Sequence, residues 1–440
     1  MLRLLATHWR KASGAAAASV TAAAAYAHAS ETRSISFADS ASFVHLALES
    51  EGVNGSAGPG VPPPPTRLVL AGDCGGTNTR LHLYSVPDDA RPQIGCKAPG
   101  ELILCKRFVN SDYESFSQVV TAFLEEAMGS TVGGAVEVCC LACAGGIQNN
   151  AVRFTNVASG WVINGNELGA QLDIPRVLLI NDFEAQGYGL LTLTPDEVIC
   201  MNDAKPRPGA PIACIGAGTG LGECYLTPDA SGSYKCWPSE GGHAEFSPRD
   251  EIAFDLLHFL KSKFGATNRI SVERVVSGPG LSNIYEFLRQ HWAFHERVNV
   301  RVDAEWQGAP PHLKGVVVAK GCDTGDVLCM KAVDIFADAY ASEASTAALK
   351  WLPYAGLFIS GGIAAKNPHW VNGKVFKKSY HDKGRMTPLL DEIPIYIVKV
   401  EDTGERGAVY KAMMMLHDIP EAAISPDSAD SSEPPLFATA

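Results

Sequence analysis

Twice in this chain a short, buried-type strand runs into a glycine- and threonine-rich turn and then returns as a second strand. The first copy is Leu68-Val69-Leu70-Ala71, the turn Gly72-Asp73-Cys74-Gly75-Gly76-Thr77-Asn78, and Arg80-Leu81-His82-Leu83-Tyr84. That last run alternates polar and apolar residues as a half-buried strand does. The second copy is Pro211-Ile212-Ala213-Cys214-Ile215, the turn Gly216-Ala217-Gly218-Thr219-Gly220-Leu221-Gly222, and Glu223-Cys224-Tyr225-Leu226-Thr227. Either two hairpins are alike by chance, or two related domains each offer a turn to one shared site. Further buried strands, Val136 to Cys143 and Val177 to Ile180, alternate with helical spacing such as Phe116 to Ala127. The expected fold is therefore α/β with a mixed sheet.

Glycine-rich turns after buried strands let backbone N–H groups approach phosphate oxygens, because no Cβ intervenes. Thr77 and Thr219 add hydroxyl donors beside those amides. Asp73 would repel a phosphate directly, but it makes sense as a holder of Mg²⁺, which in turn meets the phosphates. No G-x-x-x-x-G-K-[ST] occurs, so the chain is not a P-loop protein. Gly216 to Gly222 is spaced G-x-G-x-G-x-G and leads into a strand rather than a helix, which disfavours a dinucleotide site.

Asn181-Asp182 closes the buried strand RVLLIND, and carboxylates at strand ends point into the ligand crevice of α/β folds. An ionised Asp182 can accept a hydroxyl proton; equally, it can cap a helix beginning near Phe183. Glu240-Gly241-Gly242-His243 offers two polar side chains to sugar hydroxyls, since one His and one Glu do not make a metal site. Glu273, in ISVERVVSGPGL, reads from the pattern alone as a solvent-facing helix residue.

The net charge of -12 disfavours nucleic acid as a partner. Several of the twelve cysteines sit in apolar runs such as VEVCCLAC and PIACIG, where thiols behave as small hydrophobes, and a reducing compartment fits them best. Cys140-Leu-Ala-Cys143 is a lone CxxC inside a strand-like run. Residues 1–30 lack Asp and Glu and carry Arg3, Arg10 and Lys11, the composition of a transit peptide or of an inert Ala-rich tail; Ala27-His28-Ala29 adds a weaker secretory reading. The stretch is too weakly apolar for a membrane span. Residues 50–66, with four prolines at 62–65, have linker composition, and the polar, Pro-rich end is expected to fray after about Asp418.

The chain resembles the bacterial-type (group A) glucokinases of the hexokinase, heat-shock ATPase and actin superfamily. Eight segments carry the likeness, in family order over about residues 67–418: GDCGGTNTRL, FTNVASGW, INDFEAQGYG, IGAGTGLGE, SEGGHAEFSP, ISVERVVSGPGL, FISGGI and DKGR. The resemblance implies a two-domain actin-like ATPase (ribonuclease H-like) fold with a sugar/ATP cleft between a smaller and a larger domain. Residues 1–66 would be an N-terminal extension, 67–182 the small α/β domain (completed by about 405–418), 183–404 the large α/β domain and 419–440 a flexible tail. It implies ATP-dependent phosphorylation of glucose at the 6-hydroxyl, feeding glycolysis, with Mg²⁺ as cofactor. Asp182 matches the catalytic base, which favours catalysis over capping. Asn156, Asn181, Glu240, His243 and Glu273 match the sugar-binding positions, which displaces the solvent-facing reading of Glu273. Asp73, Gly75, Gly76, Thr77 and Asn78 match the first phosphate motif, with Asp73 at the metal, and Gly218, Thr219 and Gly220 match the second. Gly361 and Gly362 resemble the turn beside adenosine.

Glucose and ATP are thus the expected partners, with no nucleic acid and no membrane, and a homodimer is among the assemblies expected. The compartment is expected to be cytoplasmic, or a mitochondrion or plastid if the first 30 residues are a transit peptide. Ala144 stands where the family usually has Pro after the Cys, and 296–315 is poorly matched. The rivals are a kinase for fructose, mannose or an amino sugar, and a non-catalytic sugar sensor; the retained Asp182 argues against the sensor.

Overall fold

A computed structural model of the chain describes residues 65–129, 134–154, 160–230 and 232–417. The first strand–turn–strand unit forms β1 (Thr66–Cys74) and β2 (Asn78–Pro87), which pair antiparallel, and β3 (Glu101–Val109) adds to β2. On its other side β1 pairs in parallel with β4 (Val136–Cys143). β5 (Ala151–Arg153) and β6 (Val162–Asn164) make a separate two-stranded hairpin, and β7 (Arg176–Asn181) lies parallel to β4. The resulting order is β3-β2-β1-β4-β7.

The second unit repeats this plan. After the short β8 (Val198–Cys200), β9 (Ile212–Ala217) and β10 (Leu221–Pro228) form the antiparallel pair, extended by β11 (Tyr234–Ser239). β12 (Gly356–Ser360) runs parallel to β9, and β13 (Ile395–Val398) parallel to β12. The order is β11-β10-β9-β12-β13-β8, identical to the first sheet apart from the antiparallel edge strand β8. Agreement over five strands, with matching directions, removes chance likeness of two hairpins as the explanation.

Alternation along β1 sends Val69 and Ala71 to one face of the first sheet and Leu68 and Leu70 to the other. The Leu face packs on the helix Phe116–Gly129 through Val119, Val120 and Phe123. The Val face meets the second sheet across two helices, Asp182–Leu190 and Thr403–His417. One core there joins Val69 and Val138 to Tyr188, Ala412 and Met413, and on to Cys214, Cys224 and Leu226. The far face of the second sheet packs on the helices Gly278–Gln290 and Val327–Trp351, with Phe336 and Tyr340 fully buried.

The two intervening helices touch backbone to backbone. A Cβ on Gly407 would overlap the carbonyl oxygen of Ala185, and one on Gly189 that of Thr403. Glycine is needed here for proximity, not for an unusual φ.

All twelve cysteines are free. Cys140 faces the inter-sheet core and Cys143 the opposite one, so the CxxC pair cannot grip a metal together. Cys96, Cys105 on β3 and Cys200 on β8 are exposed. The poorly matched 296–315 segment is anchored by Trp306, 4% exposed, and by a two-bond ion pair from Arg289 to Asp303 at 2.6 and 2.8 Å. No described helix is long and apolar enough to cross a membrane. The expectations for residues 1–64, for most of the linker and for the tail after 417 fall outside the described residues.

Candidate active site

Strand register decides what can meet. Asp73 pairs with Ala142, Cys74 with Cys143, and Cys143 with Asn181, so the first turn and Asn181-Asp182 leave the same edge of three parallel strands. Asn110, 2% exposed, fixes the first turn from behind. Its Nδ2 donates to the Gly75 carbonyl (2.8 Å), its Oδ1 accepts from Thr79 Oγ1 (2.9 Å) and its backbone N–H donates to Thr77 O (2.9 Å). These bonds shape a loop of Gly75, Gly76, Thr77 and Asn78 in which Thr77 stays exposed.

Asn181, not Asp182, is the N-cap of the helix Asp182–Leu190. Its Oδ1 accepts from the N–H groups of Phe183 (2.9 Å) and Glu184 (3.3 Å), and its Nδ2 donates to Gly145 O (3.1 Å). Asp182 is thereby left at the solvent-facing start of the helix, accepting one bond from Phe183 N–H at 2.9 Å. Protein crowds its carboxyl on the remaining sides, and this desolvation pushes its pKa above the usual carboxylate value. The Phe183 bond opposes the rise, while the nearby charges of Asp73 and Glu240 add to it. Asp73 is raised as well, by burial first and then by Glu405, against the pull of Arg80. Glu405 holds Arg80 in an ion pair and lies 3.5 Å from His82. Burial and Arg80 depress that imidazole to about 4, so it is neutral near pH 7.

The residue after Asp182 links the two turns. The Phe183 ring sits on Gly216 and Gly222, the residues flanking the second turn; a Cβ on Gly216 would lie 2.8 Å from its Cζ, and one on Gly222 would overlap the ring. That turn closes on itself through Gly218 N–H to Gly220 O (2.8 Å). Glu273, on a short turn at Val272–Arg274, accepts from Leu221 N–H at 3.0 Å, so it braces the Gly218-Thr219-Gly220 loop rather than facing solvent from a helix. Glu240 and His243 lie 3.7 Å apart with exposed side chains, and their loop leans on β10, since a Cβ on Gly242 would overlap Leu221 O. Gly361, at φ +85°, turns the chain sharply after β12 against Ala217 O, with Gly362 following near Glu401. Tyr340 knits this end of the sheet: its hydroxyl accepts from Ala217 N–H at 3.2 Å and lies 3.3 Å from Ile215 O and 3.4 Å from Ser360 O.

Set against known proteins, the chain matches the family model described as Glucokinase over residues 70–415. It is 38% identical over 348 residues to a glucokinase from Nostoc sp., covering 78% of this chain and 97% of that protein. The chain belongs to the glucokinase family. Among solved structures, a glucokinase from Balamuthia mandrillaris in complex with glucose superposes with a TM-score of 0.61 at 21% identity, covering 79% of this chain and 94% of that one. A ROK family glucokinase from Streptomyces griseus in complex with glucose and AMPPNP gives 0.51 at 16% identity, covering 79% and 99%. These two likenesses speak for the fold.

Within this member of the glucokinase family, all the sequence-identified positions but one fall among the described residues. The exception is Asn156, in the undescribed stretch 155–159; the chain on either side is joined by Phe154 N–H to Trp161 O at 2.8 Å. Asn110, Glu405 and Tyr340 were not singled out from sequence, because their partners lie on distant strands. Among the described residues no group of three or more His, Cys, Asp or Glu could hold a metal. A cation here would rest on one carboxylate and on substrate phosphates, the usual way of holding Mg²⁺, and Asp73 at the strand end fits that role.

Proposed function

We propose that this chain transfers the γ-phosphoryl group of ATP to the 6-hydroxyl of D-glucose, in a cleft between a small domain (67–182, completed by about 405–418) and a large one (183–404). The observation that carries the reading is the seating of Phe183 on Gly216 and Gly222. It ties Asp182 to the strands of the second turn, while strand register ties it to the first.

In this reading Asn181, Glu240, His243 and Glu273, with Asn156, orient the sugar. Asp182 accepts the proton of the 6-hydroxyl as that oxygen bonds to the γ-phosphorus and the bond to the β-phosphate oxygen breaks, releasing ADP. Backbone amides of 75–78 and 218–220 receive the phosphates, and Gly361 and Gly362 border the adenosine. Mg²⁺, held through Asp73, neutralises phosphate charge when bound. The upward shift that desolvation gives the Asp182 carboxyl makes it a stronger proton acceptor than an ordinary aspartate. ATP as donor is supported by the two glycine turns and by the AMPPNP complex of the Streptomyces relative.

The test is phosphorylation by the purified full chain with Mg-ATP across glucose, fructose, mannose and glucosamine. Glucose 6-phosphate should dominate. Asp182→Asn should lower kcat by about 10²- to 10⁴-fold while glucose binding, read by calorimetry, persists. Transfer at the native rate would remove Asp182 as the base, and glucose binding without turnover on any sugar in the unaltered chain would favour a sensor.

A further inference from the structure

Gln186 follows Phe183 by three positions on the same face of the helix Asp182–Leu190, and none of the roles above uses it. The core that receives this helix is apolar, with Ala185, Tyr188 and Leu190 contributed by the helix itself. Gln186 breaks that pattern. Its Nε2 donates to two hydroxyls on different elements, Ser360 Oγ and Thr403 Oγ1. Ser360 and Thr403 are fully buried, and among the described residues neither hydroxyl has another hydrogen-bond partner. The Gln186 Oε1 faces Gly404, where a Cβ would lie 3.5 Å away.

The two hydroxyls stand at informative places. Ser360 closes β12, immediately before Gly361 and Gly362, and is in register with Gly216, on which Phe183 rests. Thr403 opens the helix Thr403–His417, where Glu405 holds Arg80, the register partner of Asp73. One carboxamide therefore joins the helix that starts at Asp182 to the end of the second sheet and to the helix that reaches the first turn.

We propose that Gln186 is a positioning residue that couples glucose binding to nucleotide binding. The inference rests on the glucose and ATP reading and deepens it: Asn181 and Asp182 stand at the sugar end of the helix, and Ser360 adjoins the turn given to adenosine. Apolar contact alone would let these elements slide past one another. Hydrogen bonds weaken steeply with distance and angle, so a ligand that moves one element carries the others with it. Each ligand then raises the affinity of the other by the same factor.

The test is calorimetric titration of the full chain with AMPPNP and Mg²⁺, with and without saturating glucose. The ratio of the two dissociation constants is the coupling factor, and about fivefold or more is expected in the unaltered chain. Gln186→Met keeps the side chain's length without its donors, and should bring the factor to within about twofold of one while glucose alone binds as before. Gln186→Glu lets both hydroxyls donate to a carboxylate at a helix N-terminus, where negative charge is favoured, and should retain most of the factor. Ser360→Ala deletes a single bond and should lower the factor in part, which keeps the test decisive if Gln186→Met fails to fold. A merely structural role would lower the melting temperature of Gln186→Met and leave the ratio unmoved. That result, an equal loss in the Met and Glu variants, or a factor of one in the unaltered chain would overturn the proposal. Absence of glucose binding to the unaltered chain would instead overturn the glucose reading on which it rests.

Discussion

Glu223 ends the motif IGAGTGLGE, 1% exposed and with Oε1 unpartnered; burial, followed by the charge of Glu343, lifts its carboxyl to about 8. The folded chain thus keeps a proton that the unfolded chain, at the ordinary carboxylate value of 4.5, has already lost. The stability this group contributes is full below that lower value and is lost as pH rises through about 8. Melting temperature should accordingly fall across that window, and Glu223→Gln should flatten the fall, as read by thermal scans at several pH values. Asn110 gives a second residue-scale test. Asn110→Ala orphans Thr79 Oγ1 and the Gly75 carbonyl, at about 1–3 kcal/mol for buried groups, and should raise KM for ATP more than KM for glucose in steady-state assays. Asp73 and Asp182 were legible because a carboxylate at a strand end carries its own signal. Asn110, Glu223 and Tyr340 were not, since a buried polar residue announces its role only through partners that folding brings from elsewhere.

Among the elements, an unbroken apolar run reported its strand well: Val136 to Cys143 was expected and is β4 with the same bounds. The short strands β8 and β13 and the outer strands β3 and β11 were not picked out, because pairing partners and not local pattern define them. The placement of the helix Thr403–His417 between the sheets was also hidden, and its reason is Gly407. Gly407→Ala would drive a methyl into the Ala185 carbonyl, so the helices must part. A loss of about 1–3 kcal/mol or more is expected in urea unfolding, the range of overpacked cores. Activity should fall with it, because the displaced helix begins at Asp182.

Taken whole, the molecule is one five-strand plan used twice, with a glycine turn at the end of the first strand of each copy. The repeat was visible in sequence only as two hairpins, since the third strand and the parallel pair of each copy share no motif. Such a plan makes relative motion of the copies the natural response to a ligand held by both. The scattered thiols offer a way to watch it. Cys105 and Cys200 are exposed on the outermost strand of the first and of the second sheet, while most of the others are buried. With Cys96 and the half-buried Cys322 replaced by Ser, the chain offers two addresses for a donor and an acceptor fluorophore, and glucose should change the energy transfer between them. The same burial that makes these cysteines ordinary core residues leaves the protein with a nearly ready-made ruler across its two halves.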